Sequence, residues 1–125
     1  MNPFRSRSRI SRIYSRMKSS ESSDVNTQDK HGWTNLHHAA TLGQFEEVRR
    51  LVERGADVNI RNNKDGWTAL IAAAVNGHGD IVEYLHQAGA DINIRNKQEG
   101  WTAVMMAARM NHGEIVQYLR AAGAK

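Results

Sequence analysis

Two periods are superimposed in the apolar positions of this chain: a helical spacing within short stretches, and a spacing of 34 residues between them. In the middle of the chain Leu70, Ala73 and Ala74 fall on one helical face. Thr68 precedes them as a capping residue, so the pattern predicts a helix running to about Asn76 and broken at Gly77 or its neighbour. Asp80 then opens a second helix, in which Ile81, Val82, Tyr84 and Leu85 recur at helical spacing. Gly89 ends it, where a left-handed residue is favoured. The Asp91-Ile92-Asn93-Ile94-Arg95-Asn96 stretch reads as an extended, turn-rich connection.

This two-helix unit occurs three times. Trp33, Trp67 and Trp101 each stand between a glycine and a threonine. Ala39-Ala40, Ala73-Ala74 and Ala107-Ala108 align in the same register, as do Gly55-Ala56, Gly89-Ala90 and Gly123-Ala124. Asp24-Val25-Asn26, Asp57-Val58-Asn59 and Asp91-Ile92-Asn93 open the successive units. The repeat domain is therefore expected over 24–124, divided into 24–56, 57–90 and 91–124, behind a separate arm and linker at 1–23. The paired alanines have a physical role, because small side chains let helices of neighbouring units approach closely.

The motif Gly-x-Thr-Pro-Leu-His-x-Ala-Ala, a Gly-His turn, an apolar second helix and Gly-Ala-Asp-Val-Asn together resemble the ankyrin repeat. The likeness covers residues 24–124. It implies an all-α solenoid of helix–turn–helix units joined by β-hairpin-like loops, and a module that binds other proteins. The family's proline is replaced by Asn35, Ala69 and Ala103, which forgoes a pre-set φ at the helix start. Its histidine survives as His37 and becomes Ile71 and Met105. One residue is inserted at the Asn62-Asn63 loop, where insertions are tolerated.

Terminal units of a solenoid need a polar outer face. Where the second unit has Ala72, Ile81 and Tyr84, the first has His38, Glu47 and Arg50, so 24–56 reads as an N-terminal cap. The third keeps the apolar pattern at Ile115, Val116, Tyr118 and Leu119. Either Arg120 and the terminal charge suffice to cap it, or its end face takes a partner or a second copy in weak self-association.

Charge separates the arm from the repeats. Of 17 lysines and arginines, Arg5, Arg7, Arg9, Arg12, Arg16 and Lys18 lie in residues 1–18 with no acid among them, leaving 11 bases against 13 acids elsewhere. As a helix the arm would gather Arg5, Arg9, Arg12 and Arg16 within about 60° of arc, with Ile10, Ile13, Tyr14 and Met17 on another side. Three readings stand: a disordered basic tail, an organelle transit peptide if the source is eukaryotic, or a segment for anionic membrane or nucleic acid. The Arg-Ser alternation over 5–9 also suits phosphorylation, which would cancel the charge. There is no cysteine, which fits a reducing compartment and excludes disulfide, cysteine-zinc and thiol chemistry. No secretory signal and no membrane span are expected, and the cytoplasm is the expected location.

Little in the chain points to catalysis or to a cofactor. His37 and His38 diverge by about 100° on a helix. His78 and His112 are equivalent turn positions roughly 8–10 Å apart, too wide for zinc, and are expected to bond local backbone. His37 is expected to bond near Thr34, as in the family. No nucleophile elbow or phosphate-cradling glycine loop occurs. Acids recur singly in solvated positions, and so short a solenoid is expected to lack a deep pocket. Trp33, Trp67 and Trp101 fall where the resemblance places the concave recognition surface. They form either an exposed aromatic ladder for a partner or a set of indoles packed on neighbouring loops. Residues that differ between units on that surface are the specificity candidates: Lys30, His31, Thr41 and Leu42; Lys64, Asp65, Val75 and Asn76; Gln98, Glu99, Arg109 and Met110. A non-enzymatic interaction scaffold or adaptor for a protein partner is the function expected, with arm-driven binding of anionic membrane or nucleic acid as the alternative.

Overall fold

The computed structural model describes residues 25–125, so the readings of the arm lie outside the described residues. Among the described residues six helices follow in order: α1 (Asn35–Leu42), α2 (Phe45–Glu53), α3 (Ala69–Val75), α4 (Gly79–Gln87), α5 (Ala103–Arg109) and α6 (Gly113–Ala121). The odd-numbered helices pack one on the next to form an inner row, and the even-numbered helices form an outer row. Among the described residues no β-strand is present; the units are joined by hairpin-like loops.

Each inner helix starts where a threonine in extended conformation leaves the loop. The hydroxyls of Thr34 and Thr68 accept from the backbone N–H of His37 and Ile71, both at 3.2 Å, satisfying donors that the helix leaves unpaired. In the first unit the His37 ring closes the cap, its Nδ1 accepting from the Thr34 N–H at 3.1 Å. Ala39, Ala40, Ala73, Ala74 and Ala107 are buried, as close packing of the inner row requires. Leu36, Leu70, Ile81, Leu85 and Leu119 fill the space between the rows. Burying one such side chain contributes ~1.5–3 kcal/mol.

Polar contacts cross from unit to unit. The carboxamide oxygens of Asn26 and Asn59 accept from the backbone N–H of Asp57 and Asp91, both at 2.7 Å, and Asn93 does the same for Lys125 at 3.1 Å. His37 Nε2 donates to the Trp67 carbonyl at 2.8 Å. His78 Nε2 donates to the Thr41 carbonyl and His112 Nε2 to the Val75 carbonyl, each at 3.1 Å. These last bonds correct the expectation of local backbone partners. The imidazole turns back onto the preceding unit, where a glycine makes room for it. A Cβ on Gly43 would lie 2.6 Å from the His78 ring, and one on Gly77 2.8 Å from the His112 ring. The third unit has Asn111 at this place, in the same left-handed conformation at φ 65°.

Two further expectations need correction. The fourth helix begins at Gly79, one residue before Asp80. More consequentially, Ile115 and Leu119 are buried, not part of an outer face. Positions equivalent to His38, Glu47 and Arg50 point toward the preceding unit. In the first unit they form the polar end, with His38 exposed and Arg50 bonded to Glu47 at 2.9 Å. In the third they are covered by the second. The far face of the third unit is instead marked by Met105 and Ala108, exposed where Ile71 and Ala74 are buried.

Candidate partner-binding surface

The loops that carry the tryptophans are held by side-chain amides. In the second and third units the Asn62 and Asn96 Oδ1 atoms accept from the backbone N–H of Trp67 and Trp101, both at 2.8 Å. The same asparagines, both buried, donate through Nδ2 to Asp65 at 3.3 Å and Glu99 at 2.6 Å. The first unit is one residue shorter here, and Asp29 takes the role, accepting from the N–H groups of His31 and Trp33 at 2.9 Å. The Trp33 N–H bond, first among the causes, holds the Asp29 carboxyl below its ordinary pKa. Loops also bond to each other, Asn63 N–H to the His31 carbonyl at 3.0 Å and Lys97 N–H to the Asp65 carbonyl at 2.9 Å.

All three indoles are half-buried, between the two arrangements expected. Trp33 and Trp67 meet edge to face with ring centres 6.2 Å apart, and Trp33 meets the His37 ring at 5.1 Å. Each indole thus packs on the stack with part of its surface and leaves the rest open. Trp101 is covered by Arg109, whose guanidinium carbon lies 5.1 Å from the ring centre.

Between the second and third units this surface opens into a shallow, open cleft of about 390 Å³. Trp67, Trp101, Val75, Met106 and Met110 give it apolar walls, while Asp65, Asn96, Gln98, Glu99 and Arg109 add polar groups. Eight of the sequence candidates come together here: Asp65, Trp67, Val75, Gln98, Glu99, Trp101, Arg109 and Met110. Lys30, His31, Trp33, Thr41, Leu42, Lys64 and Asn76 lie outside it, although Leu42 is 66% exposed. The Asn76 side chain caps its own helix, donating to the Ala72 carbonyl at 2.8 Å. Met106 and Asn96 were not singled out from sequence. Met106 carried a signal, since it replaces the register-equivalent Ala72, and Asn96 repeats Asn62 five residues before a tryptophan.

A family model described as ankyrin repeats (3 copies) matches residues 11–96 and 62–125. The chain belongs to the ankyrin-repeat family. No curated protein gives a significant match. Ankyrin repeats are in general protein–protein interaction modules, and the helical stack seen here is the all-α ankyrin solenoid that the repeats imply. Among the described residues no helix is long and apolar enough to cross a membrane, and no group of three or more His, Asp or Glu side chains is placed to hold a metal ion.

Proposed function

We propose that this ankyrin stack is a non-enzymatic scaffold or adaptor that binds a protein partner across the Trp67–Trp101 cleft. The observation that carries the reading is the convergence of two half-open indoles and two methionines on one cavity, edged by groups able to hydrogen-bond. An apolar side chain of a partner would fill the cleft, and Arg109 and Glu99 would fix its orientation. Aromatic residues with a polar rim are the usual makings of an interface hot spot. The same position in the first two units is occupied differently, with Trp33 against Trp67, so the cleft gives the stack one preferred place of contact. Absence of cysteine supports a reducing compartment, and the cytoplasm is the location proposed.

The test compares proteins retained by the immobilised chain with those retained by a Met110→Asp variant, at low and high salt. Retention that survives high salt and is lost in the variant supports the reading, because apolar contact is little screened. Retention lost at high salt but indifferent to Met110→Asp would transfer function to the basic arm and an anionic membrane or nucleic acid.

A further inference from the structure

A second cavity, of about 620 Å³, lies on the outer row between α4 and α6, away from the tryptophans. Its origin is visible by comparing units. Between the first and second, Phe45 at the start of α2 meets Tyr84 edge to face with ring centres 5.5 Å apart. The residues in the same register one unit on are Gly79 and Tyr118. Tyr118 keeps its place, its hydroxyl 2.8 Å from His86 Nδ1, but Gly79 supplies no ring at the position of Phe45. Gly79, Gly113, Ile115 and Tyr118 line the resulting space. Asp80, Glu83 and Glu114 also line it, and among the described residues no lysine or arginine does, so acids that looked dispersed in sequence do converge here. Partial burial, with the charge of Glu83 adding to it, raises the pKa of the Tyr118 hydroxyl.

The cavity thus lacks a second aromatic ring to pair with Tyr118, and no lysine or arginine among the described residues lines it to offset its carboxylates. The chain itself contains a segment with both complements. Residues 4–16 hold Phe4 beside Arg5, and Tyr14 between Arg12 and Arg16, with no acid among them. The reach is sufficient. Two unit spacings sideways and one nine-residue helix along its length come to about 25 Å, whereas the 11 steps from Tyr14 to Val25 extend to ~36 Å. We infer that the basic N-terminal segment docks on its own ankyrin stack, placing an aromatic side chain over Tyr118 and its arginines against Asp80, Glu83 and Glu114. Docking would mask the arm's charge, and a phosphate added within its Arg-Ser run would release it by repulsion from those carboxylates.

The chain has no cysteine, so a single one placed at Ser11 accepts a nitroxide label without interference. In the full-length protein the amide resonances of Gly79, Asp80, Gly113 and Glu114 should lose most of their intensity to the label, while those of Lys64 and Gln98 keep theirs. Two changes should restore the lost signals: Phe4→Ser combined with Tyr14→Ser, and Gly79→Phe. The latter rebuilds the first unit's arrangement; its Cβ meets only Ile115 Cγ1 at an ordinary 3.5 Å, and it leaves all three carboxylates in place. Absent or uniformly spread broadening overturns the inference, as does local broadening that persists in Gly79→Phe. Broadening centred on Trp67 and Trp101 overturns it too. Broadening that vanishes when labelled chains are diluted with unlabelled ones assigns the occupant to a second copy and overturns docking within one chain.

Discussion

His37 shows how one side chain can serve two units. Its Nδ1 accepts from Thr34 N–H, which makes Nε2 the protonated nitrogen that donates to the Trp67 carbonyl. Burial, the largest influence, lowers its pKa below the ordinary 6.5, because the charged ring would be desolvated. The neutral form is therefore favoured in the folded state, and the unfolded chain binds the proton more readily. Its contribution to stability is complete above pH ~6.5 and declines as pH falls toward the depressed folded value. Thermal melts should show the midpoint dropping between neutral pH and pH 5.5, with a smaller drop in His37→Gln; equal drops would contradict the assignment. The turn residues give a second contrast. Gly77→Ala adds left-handed strain of ~1–2 kcal/mol and a contact with the His112 ring, so urea unfolding should show at least that loss. Asn111→Gly should be nearly neutral, since no following imidazole presses on Asn111 among the described residues. Equal effects at the two positions would mean that the ring is not what the glycine accommodates.

Helices of seven to nine residues have little stability of their own, so each depends on its neighbours. The second unit is covered on both sides, and Leu70 and Leu85 are fully buried. Leu70→Ala or Leu85→Ala should cost ~2–5 kcal/mol in urea unfolding. A loss under ~1 kcal/mol would show that the register is wrong. At this scale much was legible beforehand. The Thr68 cap, the end near Asn76 and the glycine after α4 follow from local chemistry that a sequence displays openly. The direction each helix faces was less legible. Ile115 and Leu119 looked like an exposed end because alignment shows which positions are apolar, not which neighbour covers them. His78 and His112 were misjudged for a related reason, since their partners lie 37 residues back.

Seen whole, the stack has unlike ends and two unlike clefts. The first unit turns His38, Glu47 and Arg50 outward, and the far face exposes Met105, at 38%. That is a small contribution beside the ~1,200 Å² or more that a stable interface buries. Sedimentation should accordingly report a monomer at every concentration tested; a reversible dimer weakened by Met105→Glu would contradict this. The candidate surface was legible in part. Eight of its residues could be named, Trp67 and Trp101 because they recur in every unit and the other six because the repeat marks the positions that vary, but their meeting in one cleft required Met106 and the longer asparagine-held loops. The acidic cavity escaped sequence reading because it arises from the absence of a ring at Gly79. The central claim is that a partner covers the Trp67–Trp101 cleft, and acrylamide quenching of a Trp33→Phe chain observes those two indoles alone. Adding saturating amounts of the salt-resistant partner should lower the quenching constant and shift emission to the blue. Unchanged quenching and emission with the partner bound would contradict the claim.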